Sequence, residues 1–253
     1  MSSFLDTMLE RAKADKQTIV LPEGDDPRTL EAAETILAQG VANLIILGNV
    51  AAIKESGRAL DGATLIDPQD SDLHDEFANT LYELRKHKGM TLEQAAEKVR
   101  DVLFFGVLMV KTGRADGMVS GACHSTGDVL RPSLQILKTA PGVKLVSSFF
   151  IMVVPNCEYG QNGTFLFSDC GLEIQPDAEK LAHIAVNSAQ SWKTLIGTEP
   201  VVAMLSHSTY GSAKNDDANK VVEAAAIARE LAPELALEGE LQADAAMVPS
   251  VGA

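Results

Sequence analysis

The chain alternates short apolar runs with longer amphipathic stretches. The short runs are rich in β-branched residues and are bounded by Gly, Pro or Asp, which is typical of buried strands in a parallel or mixed sheet. The predicted strands are Thr18–Leu21, Asn43–Leu47, Thr64–Ile66, Gly117–Ser120, Phe149–Val154, Thr164–Phe167, Val201–Leu205 and Ala245–Val248.

Helical patterns with recognisable ends lie between these runs. The first of the clearest helices begins at Asp26-Pro27 and ends at Gly40, and a second begins at Thr91 with Gln94 in capping-box position. A third begins at Pro176 and runs towards Trp192, and a fourth covers Lys220–Leu231 before Pro233. Alternation of strands and helices on this scale predicts an α/β fold with helices on both faces of each sheet.

A change in character occurs at Thr139–Gly142, where proline and glycine mark a turn and a new series of strands follows. We therefore predict a first α/β domain over residues 1–142 and a second over 143–253. The alternative is an ordinary surface turn within one sheet.

Composition narrows the functional class. The 253 residues include 35 acidic and 21 basic side chains, giving a formal net charge of −14, and 46% of the residues are hydrophobic. Such a chain can bury a core, but it lacks the basic footprint needed to bind nucleic acid or an anionic membrane. No apolar run is long enough to cross a bilayer. Three cysteines without a C-x-x-C motif, and an N-terminus that does not resemble a signal peptide, indicate reduced thiols and a cytoplasmic location.

Loops rich in Gly, Ser and Thr follow several predicted strands. In α/β folds ligands bind beyond the carboxyl ends of the strands, and small hydroxyls with free backbone N–H groups suit a phosphate oxygen. These loops therefore favour a phosphate-containing ligand, although any one of them can also be read as a simple turn and helix cap. The candidate substrate-binding side chains in the loops are Ser125, Thr126, Ser208, Thr209, Ser212 and Lys214.

One run of basic residues and one single arginine stand out in so acidic a chain. The run Arg85–Lys88 precedes Gly89, and its bland interpretation is a solvated helix end, where cations complement the helix dipole. Arg131 follows a Ser/Thr-rich loop and precedes Pro132, which restricts its backbone. Its guanidinium has the geometry to bind a phosphate or carboxylate in bidentate fashion.

Other chemistries find little support. The histidines show no metal-ligand spacing, so we predict no metal site, and the Walker A, GxGxxG and GxSxG motifs are absent from the sequence. Cys123 next to His124 can be read as a nucleophile and its base, but adjacent side chains usually diverge, which disfavours covalent catalysis.

Several segments match a known family in order along the chain. They are Tyr82–Gly89, Asp116–Ala122, His124–Pro132, Pro155–Gly160, Gly163–Asp169, Ser208–Lys214 and Gly239–Ala246. Taken together they resemble the phosphate acetyltransferase (phosphotransacetylase) family over essentially the whole chain.

The resemblance implies a reversible transfer of acetyl between acetyl phosphate and coenzyme A, which gives acetyl-CoA and phosphate. It implies two α/β/α domains with mixed or largely parallel sheets, an isocitrate/isopropylmalate dehydrogenase-like architecture and a homodimer. Coenzyme A and acetyl phosphate are then substrates, and no cofactor is expected. By the same resemblance Arg85 and Arg131 bind coenzyme A or phosphate, and Cys157 lies near the site without being the nucleophile.

In the family an aspartate helps to deprotonate the coenzyme A thiol, and no acyl-enzyme forms. The resemblance places that aspartate, together with a serine-arginine pair, beyond the position at which this sequence stops, so these residues have no counterpart in it. On that basis the expectation is little transacetylase activity from the 253 residues alone. Two alternatives stay open: a phosphate butyryltransferase, and a non-catalytic acyl-CoA-binding module or fragment.

Overall fold

The computed structural model describes residues 4–252. The chain divides into two compact units, Met1–Lys138 and Thr139–Ala253. The division lies between Lys138 and Thr139, whereas the predicted boundary follows Gly142. The fold class is α/β, as predicted.

Unit 1 is built on a four-stranded parallel sheet. Its strands are β1 (Thr18–Leu21), β2 (Asn43–Leu47), β3 (Thr64–Ile66) and β4 (Gly117–Met118), in the order β3-β2-β1-β4. The helices are α1 (Phe4–Ala14), α2 (Pro27–Gln39), α3 (Val50–Glu55), α4 (His74–Arg85), α5 (Leu92–Lys98), α6 (Val102–Lys111) and α7 (Thr126–Ile136). A 3-10 turn, Lys86–Lys88, follows α4.

The predicted helix ends of unit 1 are confirmed by their hydrogen bonds. The Asp26 carboxylate caps α2 by accepting from the Arg28 N–H, and Gly40 ends the helix at φ 68°, a left-handed conformation that favours glycine. At the start of α5, Thr91 and Gln94 form both bonds of the capping box.

The sheet of unit 1 is buried on both faces because the side chains of β2 alternate. Ile45 and Leu47 face a core shared with α4 and α6, in which the rings of Phe77 and Phe105 meet edge to face at 4.8 Å. Leu44 and Ile46 face a second core on the side of α2. Burial on both faces explains why the strands appear in the sequence as continuous apolar runs.

Unit 2 contains two small sheets and two long helices. An antiparallel pair joins β5 (Phe149–Val153) to β6 (Thr164–Ser168), and a parallel pair joins β7 (Val201–Leu205) to β8 (Ala236–Leu241). The helices are α8 (Ala178–Ile196), α9 (Asp216–Leu231), α10 (Ala243–Met247) and α11 (Pro249–Gly252).

The core of unit 2 is made largely of alanine. Ala182 and Ala185 of α8 pack with Ala224 and Ala228 of α9 around Met204. Small side chains allow the two helices to approach each other closely, and the alanines also raise their intrinsic helix propensity.

Three sequence assignments in unit 2 need correction. The predicted strand Ala245–Val248 is wrong: the alanine run forms α10, since alanine favours helix and the chain enters from an extended N-cap residue, Gln242. The strand β8 was not predicted, because Leu237 is followed by Glu-Gly-Glu and the segment lacks the apolar run that indicates a buried strand. Helix α9 begins at Asp216, earlier than predicted, because Asn215 caps it by accepting from the Ala218 N–H.

No helix within the described part of the chain has both the length and the apolar character that a membrane span requires.

Candidate functional site

The carboxyl ends of β1 and β4 bring two segments of unit 1 together. These strands are parallel neighbours, with Val20 opposite Met118, and the Val119 N–H extends the pairing by donating to the Val20 carbonyl at 3.0 Å. The chain after β1, residues 22–28, therefore lies beside the chain after β4, residues 120–125. This edge of the sheet is where α/β folds place their ligands.

Glu23 is the centre of this arrangement and is only 4% exposed. Its Oε2 accepts from the N–H groups of Gly121 and Ala122, both at 2.8 Å. Its Oε1 accepts from the N–H groups of Cys123 at 2.9 Å and His124 at 3.0 Å, and lies 2.8 Å from Nδ1 of His124. We call residues 121–124 the Glu23-bound loop. The N–H groups of this loop are therefore not free for a phosphate, contrary to the expectation from sequence.

These hydrogen bonds keep Glu23 ionised. Burial by itself raises the pKa of Glu23, but the bonds from residues 121–124 outweigh it and hold the pKa well below its ordinary value of 4.5. On its carbonyl side the same loop is held by Arg28, whose guanidinium donates to the Ala122 carbonyl and forms an ion pair with Asp26.

Cys123 is poorly placed to act as a nucleophile, although its Sγ lies 3.6 Å from Nδ1 of His124. Partial desolvation raises the pKa of the Cys123 thiol, and the neighbouring Glu23 carboxylate raises it further. The thiolate, which is the reactive form, is therefore disfavoured. The two side chains do not diverge as the sequence argument assumed, but the raised pKa of the thiol still disfavours covalent catalysis by this pair.

The start of α7 carries the first pair of predicted binding residues. Ser125 is the N-cap: its hydroxyl accepts from the Asp128 N–H at 3.3 Å and donates to the Asp128 carboxylate at 2.6 Å. Thr126 is the first helical residue and is exposed. Of the two hydroxyls, that of Ser125 is occupied in capping the helix.

Arg131 lies within α7, directly before Pro132, although a residue before proline usually avoids the helical conformation. Its side chain is 62% exposed, and its one ion pair within residues 4–252 is a long contact of 3.7 Å with Asp128. An exposed pair of this kind contributes little energy. The guanidinium is thus open to an anionic ligand.

Arg85 ends α4, and the basic run continues through the 3-10 turn to Gly89, which has φ 84°. This confirms the helix end predicted there. The Arg85 side chain is half-buried, and its Nε is a buried atom with no hydrogen-bond partner within residues 4–252. Since α4 packs against α7, the helices that carry both predicted arginines belong to one layer of unit 1.

The second predicted binding loop, residues 206–214 of unit 2, connects β7 to α9 and is also organised by a glutamate. Glu240, 4% exposed, accepts from the Ser208 hydroxyl at 3.0 Å and from the Gly211 N–H at 2.6 Å. The Thr209 hydroxyl accepts from the Gln242 N–H at 2.9 Å. The hydroxyls of Ser208 and Thr209 therefore hold the loop on β8.

The other two predicted binding residues of this loop lie at the surface. Ser212 and Lys214 are exposed, and the Ser212 hydroxyl accepts from the Thr209 N–H at 3.1 Å. Lys214 has no ion pair in the part of the chain that the structure describes. Its ammonium group is the open cation of the loop.

Cys157 lies in the connection between β5 and β6 and is half-buried. Residues 155–160 therefore link two antiparallel strands and do not lead into a helix. After β6, Asp169 accepts from the N–H groups of Ser148, Gly171 and Leu172. The turn beyond β6 is thus closed by a carboxylate as well.

Sequence reasoning missed the loop-binding roles of Glu23, Asp169 and Glu240. Glu23 forms bonds to residues 98 to 101 positions away, so no local motif reveals its role. Glu23, Cys123 and His124 also bring potential metal-ligand atoms within 4.8 Å of one another. The Glu23 oxygens, however, are already engaged by the loop, so this trio is explained without a metal ion.

Comparison with known proteins gives consistent results. Residues 3–253 match the family described as phosphate acetyl/butaryl transferase. Phosphate acetyltransferases of Acetivibrio thermocellus and Thermoanaerobacterium thermosaccharolyticum are each 55% identical over 251 residues, which is 98% of this chain and 76% of each relative. The crystal structure of a phosphotransacetylase from Streptococcus pyogenes matches with a TM-score of 0.90 at 43% identity, covering 100% of this chain and 77% of that one.

Proposed function

Because this chain belongs to the phosphate acetyl/butaryl transferase family, we propose that it binds coenzyme A and acetyl phosphate and transfers acetyl reversibly between them. The products of the forward reaction are acetyl-CoA and inorganic phosphate. The relatives that match most of the chain are named phosphate acetyltransferases, which favours acetyl as the group transferred.

The open cations support this proposal. Both substrates carry several negative charges, and a protein with a net charge of −14 repels them unless cations are concentrated locally. Arg131 and Arg85 supply fixed positive charge in unit 1, and Lys214 supplies it in unit 2. An arginine cannot lose its proton at physiological pH and binds phosphate through paired N–H groups.

The transfer needs one bond to form and one to break at the acetyl carbonyl. The thiol of coenzyme A gives its proton to a base, and the thiolate sulfur attacks the carbonyl carbon. The resulting oxyanion collapses as the carbon–oxygen bond to phosphate breaks, so that phosphate leaves with the bonding electrons. We assign Arg85, Arg131, Thr126 and Lys214 to substrate binding. The hydroxyls of Ser125, Ser208, Thr209 and Ser212 are bonded within their own units and are assigned to the shape of the loops. Cys157 takes no covalent part.

The observation that carries the proposal is that the guanidinium of Arg131 is exposed and only loosely paired. Titration calorimetry of the purified chain with coenzyme A, together with an assay for acetyl-CoA formation from acetyl phosphate, tests it. We expect Arg131→Ala to weaken coenzyme A binding by about tenfold or more, as loss of a charge-assisted hydrogen bond implies.

The matched control is Arg58→Ala, which removes the same charge from the same unit at a surface pair with Glu31 and Glu34. It should leave the affinity within about twofold, since exposed ion pairs carry little energy. If wild-type protein binds neither coenzyme A nor acetyl phosphate, the proposed function is wrong. If Arg131→Ala and Arg58→Ala have equal effects, the role of Arg131 is wrong.

The acyl chain and the role of the chain as an enzyme are tested by two comparisons. Acetyl phosphate should support faster turnover than butyryl phosphate, whereas the reverse order would identify a butyryltransferase. Binding of coenzyme A without turnover of either acyl phosphate would identify a non-catalytic acyl-CoA-binding module or fragment, the second alternative from the sequence.

We also propose a homodimer that acts in the cytoplasm. The three free cysteines suit a reducing compartment, and the family resemblance supports the dimer. Light scattering on the purified protein measures the mass, and a monomer at micromolar concentration would contradict the dimer.

A further inference from the structure

We propose that Glu23 is a positioning residue for substrate binding: its carboxylate fills the anion-binding nest of the Glu23-bound loop and thereby fixes the start of α7, the helix that carries Arg131. This inference rests on the proposed function for the role of Arg131. It adds a residue that contacts neither substrate in the scheme above.

The donors of the loop converge in the way that phosphate-binding loops use. The N–H groups of residues 121–124 all lie 2.8–3.0 Å from the two oxygens of one carboxylate. Successive backbone N–H groups that point to one side form a concave anion site. Here the anion belongs to the protein itself, so the loop is formed before any ligand arrives.

The loop is held from both sides by a single segment. Glu23 accepts hydrogen bonds from the N–H groups of the loop, while Arg28, five residues further along the chain, donates to the Ala122 carbonyl. Both residues follow β1, and the loop follows β4, so two paired parallel strands set their separation. The arrangement leaves the backbone of the loop little freedom to shift against the sheet.

The effect reaches Arg131 through the helix. His124 receives two contacts from Glu23, one at its N–H and one at Nδ1. The next residue, Ser125, is the N-cap of α7, and Arg131 lies in the second turn of that helix. If the nest is emptied, the origin of α7 loosens and the guanidinium loses its fixed position, although no contact of Arg131 is removed.

Chemical rescue distinguishes this role from a general contribution to stability. Glu23→Ala leaves a cavity lined by unpaired N–H groups, which a small carboxylate such as formate can fill. We expect the variant to melt at a lower temperature than wild type and to bind coenzyme A about tenfold more weakly, the scale of one lost charged hydrogen bond. Sodium formate should restore both properties in part, and sodium chloride at the same ionic strength should not.

Two further variants complete the design. Glu23→Gln keeps the shape and one carbonyl acceptor, so it should be less impaired than Glu23→Ala and should not respond to formate. It also serves for comparison with wild type if Glu23→Ala fails to fold. Arg131→Ala should bind coenzyme A weakly with or without formate, since its defect lies in the ligand contact and not in the loop.

The melting temperatures and the affinities for coenzyme A together decide whether Glu23 positions α7. A Glu23→Ala or Glu23→Gln protein with lowered melting temperature and wild-type affinity for coenzyme A would show a purely structural role and overturn the inference. So would a defect that Zn²⁺, and not formate, reverses, because the Glu23, Cys123 and His124 trio would then be a metal site. If wild-type protein does not bind coenzyme A, the proposed function fails, and with it the effect on Arg131. Rescue of the melting temperature by formate would still establish the anion nest.

Discussion

The hydroxyl of Ser208 donates to the carboxylate of Glu240 at 3.0 Å, and both side chains are buried, Ser208 completely and Glu240 at 4% exposure. The same hydroxyl accepts from the Ala213 N–H at 3.0 Å. Ser208 therefore joins the two ends of its loop to strand β8. A serine that looks from sequence like a phosphate ligand is an internal support of the loop.

Ser208→Ala should destabilise unit 2. The substitution removes a donor from a buried carboxylate and an acceptor from a buried N–H, which costs about 1–3 kcal/mol in the free energy of unfolding. Urea denaturation measures the change. Ser191→Ala is the control, because the Ser191 hydroxyl bonds only the Asn187 carbonyl within α8, and its loss should change the free energy by about 0.5 kcal/mol or less. Equal stabilities for the two variants would contradict the supporting role of Ser208.

Arg85→Ala should weaken coenzyme A binding while the fold stays intact. An arginine that forms charge-assisted bonds to phosphate contributes about 1.5–3 kcal/mol, or roughly ten- to a hundredfold in affinity. Calorimetry gives the affinity, and circular dichroism gives the melting curve. Lys88→Ala is the matched control: it removes an exposed cation from the same basic run and should change the affinity by about twofold or less. A larger effect at Lys88 would assign ligand binding to the exposed end of the run.

Cys123 should alkylate slowly in the folded protein. Desolvation and the Glu23 carboxylate raise the pKa of its thiol above the ordinary value of 9.0, so less thiolate is present at any given pH. Mass spectrometry after timed exposure to iodoacetamide measures the rate. A peptide of residues 121–128 provides the same local sequence without the Glu23 carboxylate, and its thiol should react several-fold faster. Faster labelling in the folded protein would show an activated thiol instead.

The protein should lose stability in acid through its internal carboxylates. Burial raises the pKa of Asp169, but hydrogen bonds from Gly171, Leu172 and Ser148 outweigh it and hold the pKa well below 3.8. Glu23 is likewise held well below 4.5. As the pH falls through these ordinary values, the two carboxylates become protonated in the unfolded chain but stay ionised in the folded chain.

The free energy of unfolding is therefore expected to decrease steadily as the pH is lowered below about 4.5, the ordinary glutamate value. Urea denaturation at a series of pH values measures it. Glu23→Gln should flatten the pH dependence, because it removes one of the groups responsible. Glu55→Gln, at an exposed position of α3, should leave it unchanged, and equal flattening by both variants would contradict the assignment to Glu23.

Much of unit 1 could be predicted from local pattern. The strands Thr18–Leu21, Asn43–Leu47 and Thr64–Ile66 match prediction at both ends, because each is a short run rich in β-branched and apolar residues, even though the edge strand Thr64–Ile66 is only partly buried. Helix ends were predictable where a short-range hydrogen bond determines them, as at Thr91 and Gln94.

The strand β8 and the loop-binding glutamates could not be predicted in this way. Glu240 looks like an exposed residue in a polar stretch, yet its burial is compensated by donors from a loop about 30 positions earlier in the chain. The same holds for Glu23, whose donors lie 98 to 101 positions later in the chain although they are adjacent to it in space. A buried carboxylate is tolerated only if its acceptors are filled, and the groups that fill them lie at distances along the chain that no local pattern covers.

The separation of 98 to 101 residues between Glu23 and its donors has a consequence for the order of folding. A chain that has emerged from synthesis only as far as α6 already contains β1, β2 and β3, but it contains neither β4, the second neighbour of β1, nor the N–H groups that Glu23 requires. Packing β1 at that point leaves an ionised carboxylate uncompensated beside the sheet edge. The part of unit 1 around Glu23 is therefore completed only when residues 121–124 arrive, and this late contact is polar even though the core of the unit is apolar.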